Sequence, residues 1–437
     1  MKAVIIRSAI ALALMHGSLA LAADDNADLI KRGEYLATAS DCTACHTAPG
    51  GPAYGGGYPV ATPFGKIWGS NISSDKQFGI GSWTDDQFVA AVRQGIGKNG
   101  EQLYPAMPYD AFTKMKRDDV LAIKAYLMSL PGVHKAAPET SLPFPFNQRW
   151  GMRFWKMFNL TEGELKNDPQ QSPQWNNGRY LVEALAHCTT CHTPRNLTMG
   201  MDTSKSLAGG DLGDWIAFNI TPGKSGIGDW SNQDIVTYLK TGYLAGKASA
   251  SGPMAEAIEH SLQYLPDSDL QDIASYLKSV KPVDDDKQTV PRDSQGEPSD
   301  AIIRLRGADA ATLKSLPGAV VFEGNCSTCH GAEGGGSGQG FHAYPSLFHH
   351  SSTGAIDPKN LVSVILNGVN RHMQQGDIFM PSFAPQLNDQ QVADVANFVM
   401  QKFGNPAAEK VDASQVSKAR KNASLPLPPT FTDGANP

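Results

Sequence analysis

Residues 41–47 read DCTACHT: Cys42 and Cys45 are separated by two residues, and His46 follows the second thiol directly. Such a pair can hold zinc, form a redox disulfide or anchor a haem. The same pattern returns as Cys188-Thr-Thr-Cys191-His192 and as Cys326-Ser-Thr-Cys329-His330. The chain has six cysteines, and the three copies use all of them. A histidine after every second cysteine is the attachment pattern of haem c. Two thiols add across the haem vinyl groups, and the adjacent imidazole is placed to bind iron from one face. Structural zinc would pair Cys and His ligands between copies, and no such partner pair at a larger spacing accompanies any copy. The expectation is three covalently bound haems c, at Cys42/Cys45, Cys188/Cys191 and Cys326/Cys329, with His46, His192 and His330 as proximal ligands.

The start of the chain agrees with that chemistry. Lys2 and Arg7 precede or flank an apolar run, AIALALMHGSLALA, that ends in the small-x-small site Ala20-Leu21-Ala22. This reads as a signal peptide over 1–22, with the mature chain beginning at Ala23. The apolar run is short for a membrane span of about 20 residues. Export places the chain where disulfides form, yet no cysteine is left over to form one. A length of 437 residues suits two or three domains. A formal net charge of only −6, with no broad basic tract, argues against nucleic acid as a partner. Beyond the leader there is no run of eighteen apolar residues, so no transmembrane helix is expected.

An internal repeat sets the organisation. GEYLATASDCTACHT resembles GRYLVEALAHCTTCHT, and NISSDKQFGIGSWTDDQFVAAVRQG resembles NITPGKSGIGDWSNQDIVTYLKTG. Cys42 to Cys188 is a shift of 146, and Trp83 to Trp230 one of 147. The likeness reaches far beyond the thiols, so it marks a duplicated domain. The third copy shares the frame but lacks the NI…GIG.W insertion. Each unit reads as mainly α. A helical segment precedes each thiol pair, and each unit closes with a helix: KRDDVLAIKAYLMSL, LPDSDLQDIASYLKSV and LNDQQVADVANFVMQKF. Tyr126, Tyr276 and Phe398 occupy similar places on these helices. In the last two, an Asp or Asn near the start is a candidate cap. The expected layout is domain 1 over 23–135, a linker over 136–174, domain 2 over 175–281, a linker over 282–308, domain 3 over 309–405 and an extended tail over 406–437.

The second axial ligand must come from downstream, and methionine is a common choice. Met107 in LYPAMPYDAF and Met254 in ASGPMAEAI are again 147 apart, and Met380 lies in DIFMPSFAPQL. Prolines beside all three suit stiff segments that hold sulfur over iron. Rivals for the third position are His349, His350, His372 and Met373. Trp83 and Trp230 read as core or haem-contact residues. Arg195 is placed to reach a propionate or a surface carboxylate, and Tyr344-Pro345-Ser346-Leu347 to cover the third haem or form a loop. His187 reads as exposed and inert. The first linker interleaves Phe144, Phe146, Trp150, Phe154, Trp155 and Phe158 with Arg149, Arg153 and Lys156. That pattern suits either an interfacial segment or packing across its own domains. The second linker, KPVDDDKQTVPRDSQGEPSD, is polar and turn-rich.

The stretches RGEYLATASDCTACHT, TPFGKIWGSNISSD, GIGSWTDDQF, YPAMPY, CSTCHG and MPSF together resemble the three-haem cytochrome c subunit of bacterial membrane-associated alcohol, gluconate and fructose dehydrogenases. The resemblance spans nearly the whole mature chain. It implies three tandem class I-like cytochrome c domains joined by long linkers, with Met107, Met254 and Met380 as distal ligands. It also implies a catalytic dehydrogenase partner holding FAD or PQQ, and electron delivery to ubiquinone. The expected location is the periplasmic side of the inner membrane, peripherally attached. No acid–base set for substrate oxidation is evident, so the chain by itself is not expected to oxidise substrate. Two alternatives are a stand-alone multihaem periplasmic carrier and a peroxidase relative. The latter needs an open iron face and peroxide-handling groups, and neither is evident.

Overall fold

The computed structural model describes residues 26–338 and 340–422; the leader over 1–22 and the end of the tail lie outside these. The described chain is mostly helix and loop, with four two-stranded antiparallel hairpins. It divides into two compact units. One runs to Lys166 and includes Glu183–His187; the other takes Asn167–Val182 and the chain from Cys188 onward.

In every repeat the helix before the thiol pair crosses the closing helix at a glycine. A Cβ on Gly33 would collide with the Ala122 carbonyl and come within 2.9 Å of Tyr126 Cβ. A Cβ on Gly178 would collide with the Asp272 carbonyl and lie 3.0 Å from Tyr276 Cβ, and one on Gly318 would meet Asp394 and Phe398 in the same way. Tyr126, Tyr276 and Phe398 therefore mark the crossing point. Only a residue without a side chain lets the two backbones approach so closely. The closing helices run over Arg117–Ser129, Asp267–Ser279 and Asp389–Lys402, close to the expected bounds. Asn388 caps the third in a full capping box with Gln391. The second starts after Pro266 with no side-chain cap, and Asp267 and Asp269 sit in its first turn instead, where the helix dipole favours acids.

Gly33 stands nine residues before Cys42, whereas Gly178 stands ten before Cys188. The extra residue is absorbed by a π-helical turn over Leu181–Leu185. A π turn takes up one added residue without unwinding the helix, so the thiol pair keeps its position after the crossing.

The chain between repeats is folded onto them. In the first unit, residues 144–158 form a short 3-10 turn, Arg149–Gly151, and a helix, Met152–Asn159. Two of its cations, Arg149 and Lys156, face the protein, while Arg153 is exposed. Lys156 Nζ donates to the Gln94 and Gly95 carbonyls at 2.6 and 2.9 Å, and Arg149 donates to the Gln102 carbonyl at 3.2 Å. Trp155 packs edge-on to Tyr109. Trp150, Phe154 and Phe158 stay 63%, 57% and 72% exposed. The reading of packing across its own domain holds for Arg149, Trp155 and Lys156. In the second unit the polar linker is anchored by Arg292 and Asp293, both buried, and Trp230 Nε1 donates to Asp293 at 2.8 Å. The described part of the tail corrects the expectation of an extended segment. Ala413–Asn422 is a helix that buries Val416 in the core of the third repeat, and Arg420 ties it to Asp389 at 2.6 Å. Val416 supplies the apolar contact that a polar, lysine-rich stretch seemed to lack.

Candidate functional site

Each thiol pair lies on one short helical turn: Cys42–His46, Cys188–His192 and Ser327–His330 with Cys326 at its cap. This brings the two sulfurs and the imidazole of each copy together. All six cysteines are half-buried, and none is in a disulfide. Burial pushes the Cys42, Cys188 and Cys326 thiols up to about 12, so they stay protonated. Among the described residues, no group of three or more His, Cys, Asp or Glu side chains is arranged to hold a metal ion.

The three histidines share one geometry. His46 Nδ1 lies 2.7 Å from the Ser70 carbonyl, His192 Nδ1 2.6 Å from that of Phe218, and His330 Nδ1 2.9 Å from that of Pro345. A carbonyl only accepts, so Nδ1 carries the proton and the Nε2 lone pair is left for a metal. Burial lowers the basicity of all three rings, and the carbonyl bond offsets part of that effect. The neutral ring is the form that ligates iron.

Glycines hold these carbonyls in place. Gly56, Gly209 and Gly336 each donate an N–H at 2.8 Å to the carbonyl of His46, His192 and His330. Their φ values of 74°, 100° and 72° lie in the left-handed region. A Cβ on them would stand 2.6, 3.5 and 2.9 Å from the carbonyl carbons of Ser70, Phe218 and Pro345. The loop after each thiol pair thus lies flat against the segment that grips its imidazole. Asn71 and Asn219, the first residues of the repeated NI stretches, fix that segment in turn. Their side-chain amides donate to Val133 O at 2.7 Å and Val283 O at 2.6 Å, just past the closing helices.

These glycines and carbonyls went unrecognised in the sequence. The glycines follow their histidines at ten, seventeen and six residues, and a carbonyl has no residue identity. Tyr344-Pro345-Ser346-Leu347 acts through its backbone as the imidazole clamp of the third copy. Arg195 Nη2 donates to the Thr190 carbonyl at 2.7 Å, within the second thiol turn. The reading of His187 is corrected: it is half-buried, its ring lies 5.3 Å from that of Phe112, and burial lowers it to about 4. Trp230 is buried and Trp83 only partly so.

Met107, Met254 and Met380 are half-buried. Met107 sits in a turn between Tyr104 and Tyr109, Met254 in the first turn of Gly252–His260, and Met380 at the end of strand Gly376–Met380. Met380 and Cys326 pack on the same apolar core. Among the rivals, His349 and His372 are exposed, and His372 pairs with Asp377. His350 is the inward one. Its Nδ1 accepts from Ser352 N–H at 3.3 Å, which puts the proton on Nε2, a buried atom with no partner.

The donor set fits a covalently bound haem. It offers two thiols per turn, a neutral imidazole with a free Nε2, and buried polar atoms without protein partners at Arg292 Nε, His350 Nε2 and Arg371 Nε. Buried polar atoms are ordinarily satisfied, so these await a polar ligand. Helix pairs crossing over a thiol turn and its clamped imidazole define a c-type cytochrome.

The cytochrome c family pattern matches residues 30–131 and 315–402. The chain is 45% identical to the fructose dehydrogenase cytochrome subunit of Gluconobacter japonicus, over 90% of this chain and 82% of that one. It is 38% identical to the gluconate 2-dehydrogenase cytochrome c subunit of Pantoea cypripedii, over 95% of each. It is 35% identical to the cytochrome c subunit of the quinone alcohol dehydrogenase of Gluconacetobacter polyoxogenes, over 94% of this chain and 89% of that one. The chain belongs to this family of dehydrogenase cytochrome c subunits, and haem c is bound covalently in it.

Proposed function

We propose that this chain is the electron-transfer subunit of a dehydrogenase complex. It takes electrons from a catalytic subunit that holds FAD or PQQ and oxidises an alcohol, gluconate or a related sugar, and it delivers them to ubiquinone. It carries three haems c in three domains, over 23–135, 175–281 and 309–405. The observation that supports this most is the threefold recurrence of one donor set, two thiols and an imidazole clamped on a backbone carbonyl. Haem c supplies one-electron exchange at iron. The residues of the chain position it: Cys42/Cys45, Cys188/Cys191 and Cys326/Cys329 fix the macrocycle, and His46, His192 and His330 hold the proximal face. Met107, Met254 and Met380 hold the distal face, where a thioether raises the potential.

The signal peptide over 1–22 directs export, and the chain works at the periplasmic side of the inner membrane. Among the described residues no helix is long and apolar enough to cross a membrane. Attachment is peripheral, through the exposed aromatics of 144–158.

Intact mass of the chain from the native complex tests the haem load, with an excess of three haems expected. The complex stripped of this chain should still reduce small dyes but should lose efficient ubiquinone reduction. The isolated chain should oxidise neither alcohols nor gluconate. Full-rate ubiquinone reduction by the catalytic subunit without this chain would overturn the relay role.

A further inference from the structure

Two arginines in the second unit are buried without a carboxylate partner. Arg371, on the strand Val369–Met373 of the third repeat, is 0% exposed. Its Nη1 donates to the Ala250 carbonyl at 2.7 Å, and a Cβ on Gly242 would stand 2.8 Å from its Cζ. Arg292, on the second linker, is also buried. It donates to the carbonyls of Ser225 and Asn219, and its guanidinium lies 4.3 Å from the Phe218 ring centre. Backbone carbonyls take both Nη atoms of Arg292 and Nη1 of Arg371, and in both residues Nε has no partner. The nearby acids are committed elsewhere. Asp293 accepts from Trp230 and Lys247, and Glu259 accepts from the His372 amide. Two guanidinium groups thus lie in the interior with no carboxylate bonded to either; Asp293, Asp229 and Asp285 act on Arg292, and Glu259 on Arg371, only through space. A buried cation without an anion is strongly destabilising, so such a pair is expected where an anionic ligand completes the site.

Their positions say which ligand. Phe218 gives its carbonyl to His192, so Arg292 stands on the proximal side of the second thiol turn. Ala250 precedes Met254 by four residues, so Arg371 stands on the segment that leads to the distal methionine. Half-buried Tyr238 feels both cations: desolvation pushes its phenol up to about 12 while Arg371 and Arg292 pull it down. A haem c has two carboxylates, the propionates, on the edge away from the vinyl groups.

We infer that Arg371 and Arg292 hold the propionates of the haem bound at Cys188, Cys191 and His192, so that the third repeat and the second linker complete the haem site of the second repeat. This rests on reading that thiol turn as a haem c site. Arginine suits the task, because its planar fork pairs with a carboxylate and its charge is permanent. A fixed positive charge beside the iron favours the ferrous state and raises the potential.

The test is spectroelectrochemical titration of the full-length chain loaded with haem. A variant with Cys188, Cys191 and His192 all replaced by Ala should lack one redox wave and one haem by intact mass, which identifies the second haem. Arg371→Gln and Arg292→Gln should each move that wave to lower potential and leave the others in place. Arg371→Lys and Arg292→Lys should keep it closer to the wild-type value, and they carry the comparison if a Gln variant fails to load haem. If the triple variant loses no wave, the haem reading itself fails. If it loses a wave that stays fixed in all haem-loaded arginine variants, or if a different wave moves, the inference is overturned while the haem reading stands.

Discussion

The first and second repeats receive an arginine from later in the chain at nearly the same place, but close over it differently. Arg149 reaches the Gln102 carbonyl, five residues before Met107, and its guanidinium stands 4.6 Å from the Tyr104 ring centre. Arg371 reaches the Ala250 carbonyl, four residues before Met254. The first arginine rides on a short linker helix and stays half-exposed; the second rides on another repeat and is wholly buried. One duplicated frame has therefore been finished in two ways. The second is sealed by folded protein. The first is covered by a segment pinned through its cations, with Trp150, Phe154 and Phe158 turned to solvent. A row of large exposed aromatics of this kind marks a docking surface more often than plain solvent-facing chain.

The largest expected effect tests whether the two frames are equivalent at their helix crossings. Gly33→Val and Gly178→Val each push a side chain into a closing-helix carbonyl, Ala122 in one and Asp272 in the other. Each should cost about 3 kcal/mol in urea unfolding followed by circular dichroism. If only Gly178→Val is tolerated, the π turn beside it yields, and the two crossings are not equivalent.

A smaller effect separates the paired tryptophans. Trp230→Phe removes the indole donor to buried Asp293 and should cost about 2 kcal/mol. Trp83→Phe, at a partly exposed position, should stay within about 0.5 kcal/mol. Equal losses would show that the docked second linker adds nothing to the second repeat.

The smallest effect on stability belongs to the exposed ridge. Changing Trp150, Phe154 and Phe158 to Glu should alter unfolding by no more than about 0.5 kcal/mol per site. The same variant should release the chain from the membrane fraction or from its partner. Unchanged fractionation and unchanged assembly together would reduce the ridge to ordinary surface.

The thiol turns, their histidines and the closing helices were legible because side-chain identity carries them. Cys and His have few other reasons to recur at that spacing, and a buried stripe shows itself as period. The imidazole clamps were not legible, because Ser70, Phe218 and Pro345 act through carbonyls that every residue has. Arg371 and Arg292 were hidden for another reason. Arginine in a polar stretch reads as solvated, and only packing between segments more than a hundred residues apart buries Arg371 against Ala250. The helix Ala413–Asn422 was missed because its one deeply buried apolar residue, Val416, gives no periodic signal.

The carbonyl clamp on each histidine also decides what cannot travel with an electron. An imidazole whose Nδ1–H faced a carboxylate or a water could surrender that proton when its iron is oxidised. A peptide carbonyl is far too weak a base to take it, so at Ser70, Phe218 and Pro345 the proton stays on the ring in either state of the iron. With haem iron bound at each, the proposed proximal sides would exchange charge without exchanging hydrogen. In the relay proposed above, the protons of a substrate oxidation remain where the chemistry was done, and those that ubiquinone needs must be gathered by other groups at its own site.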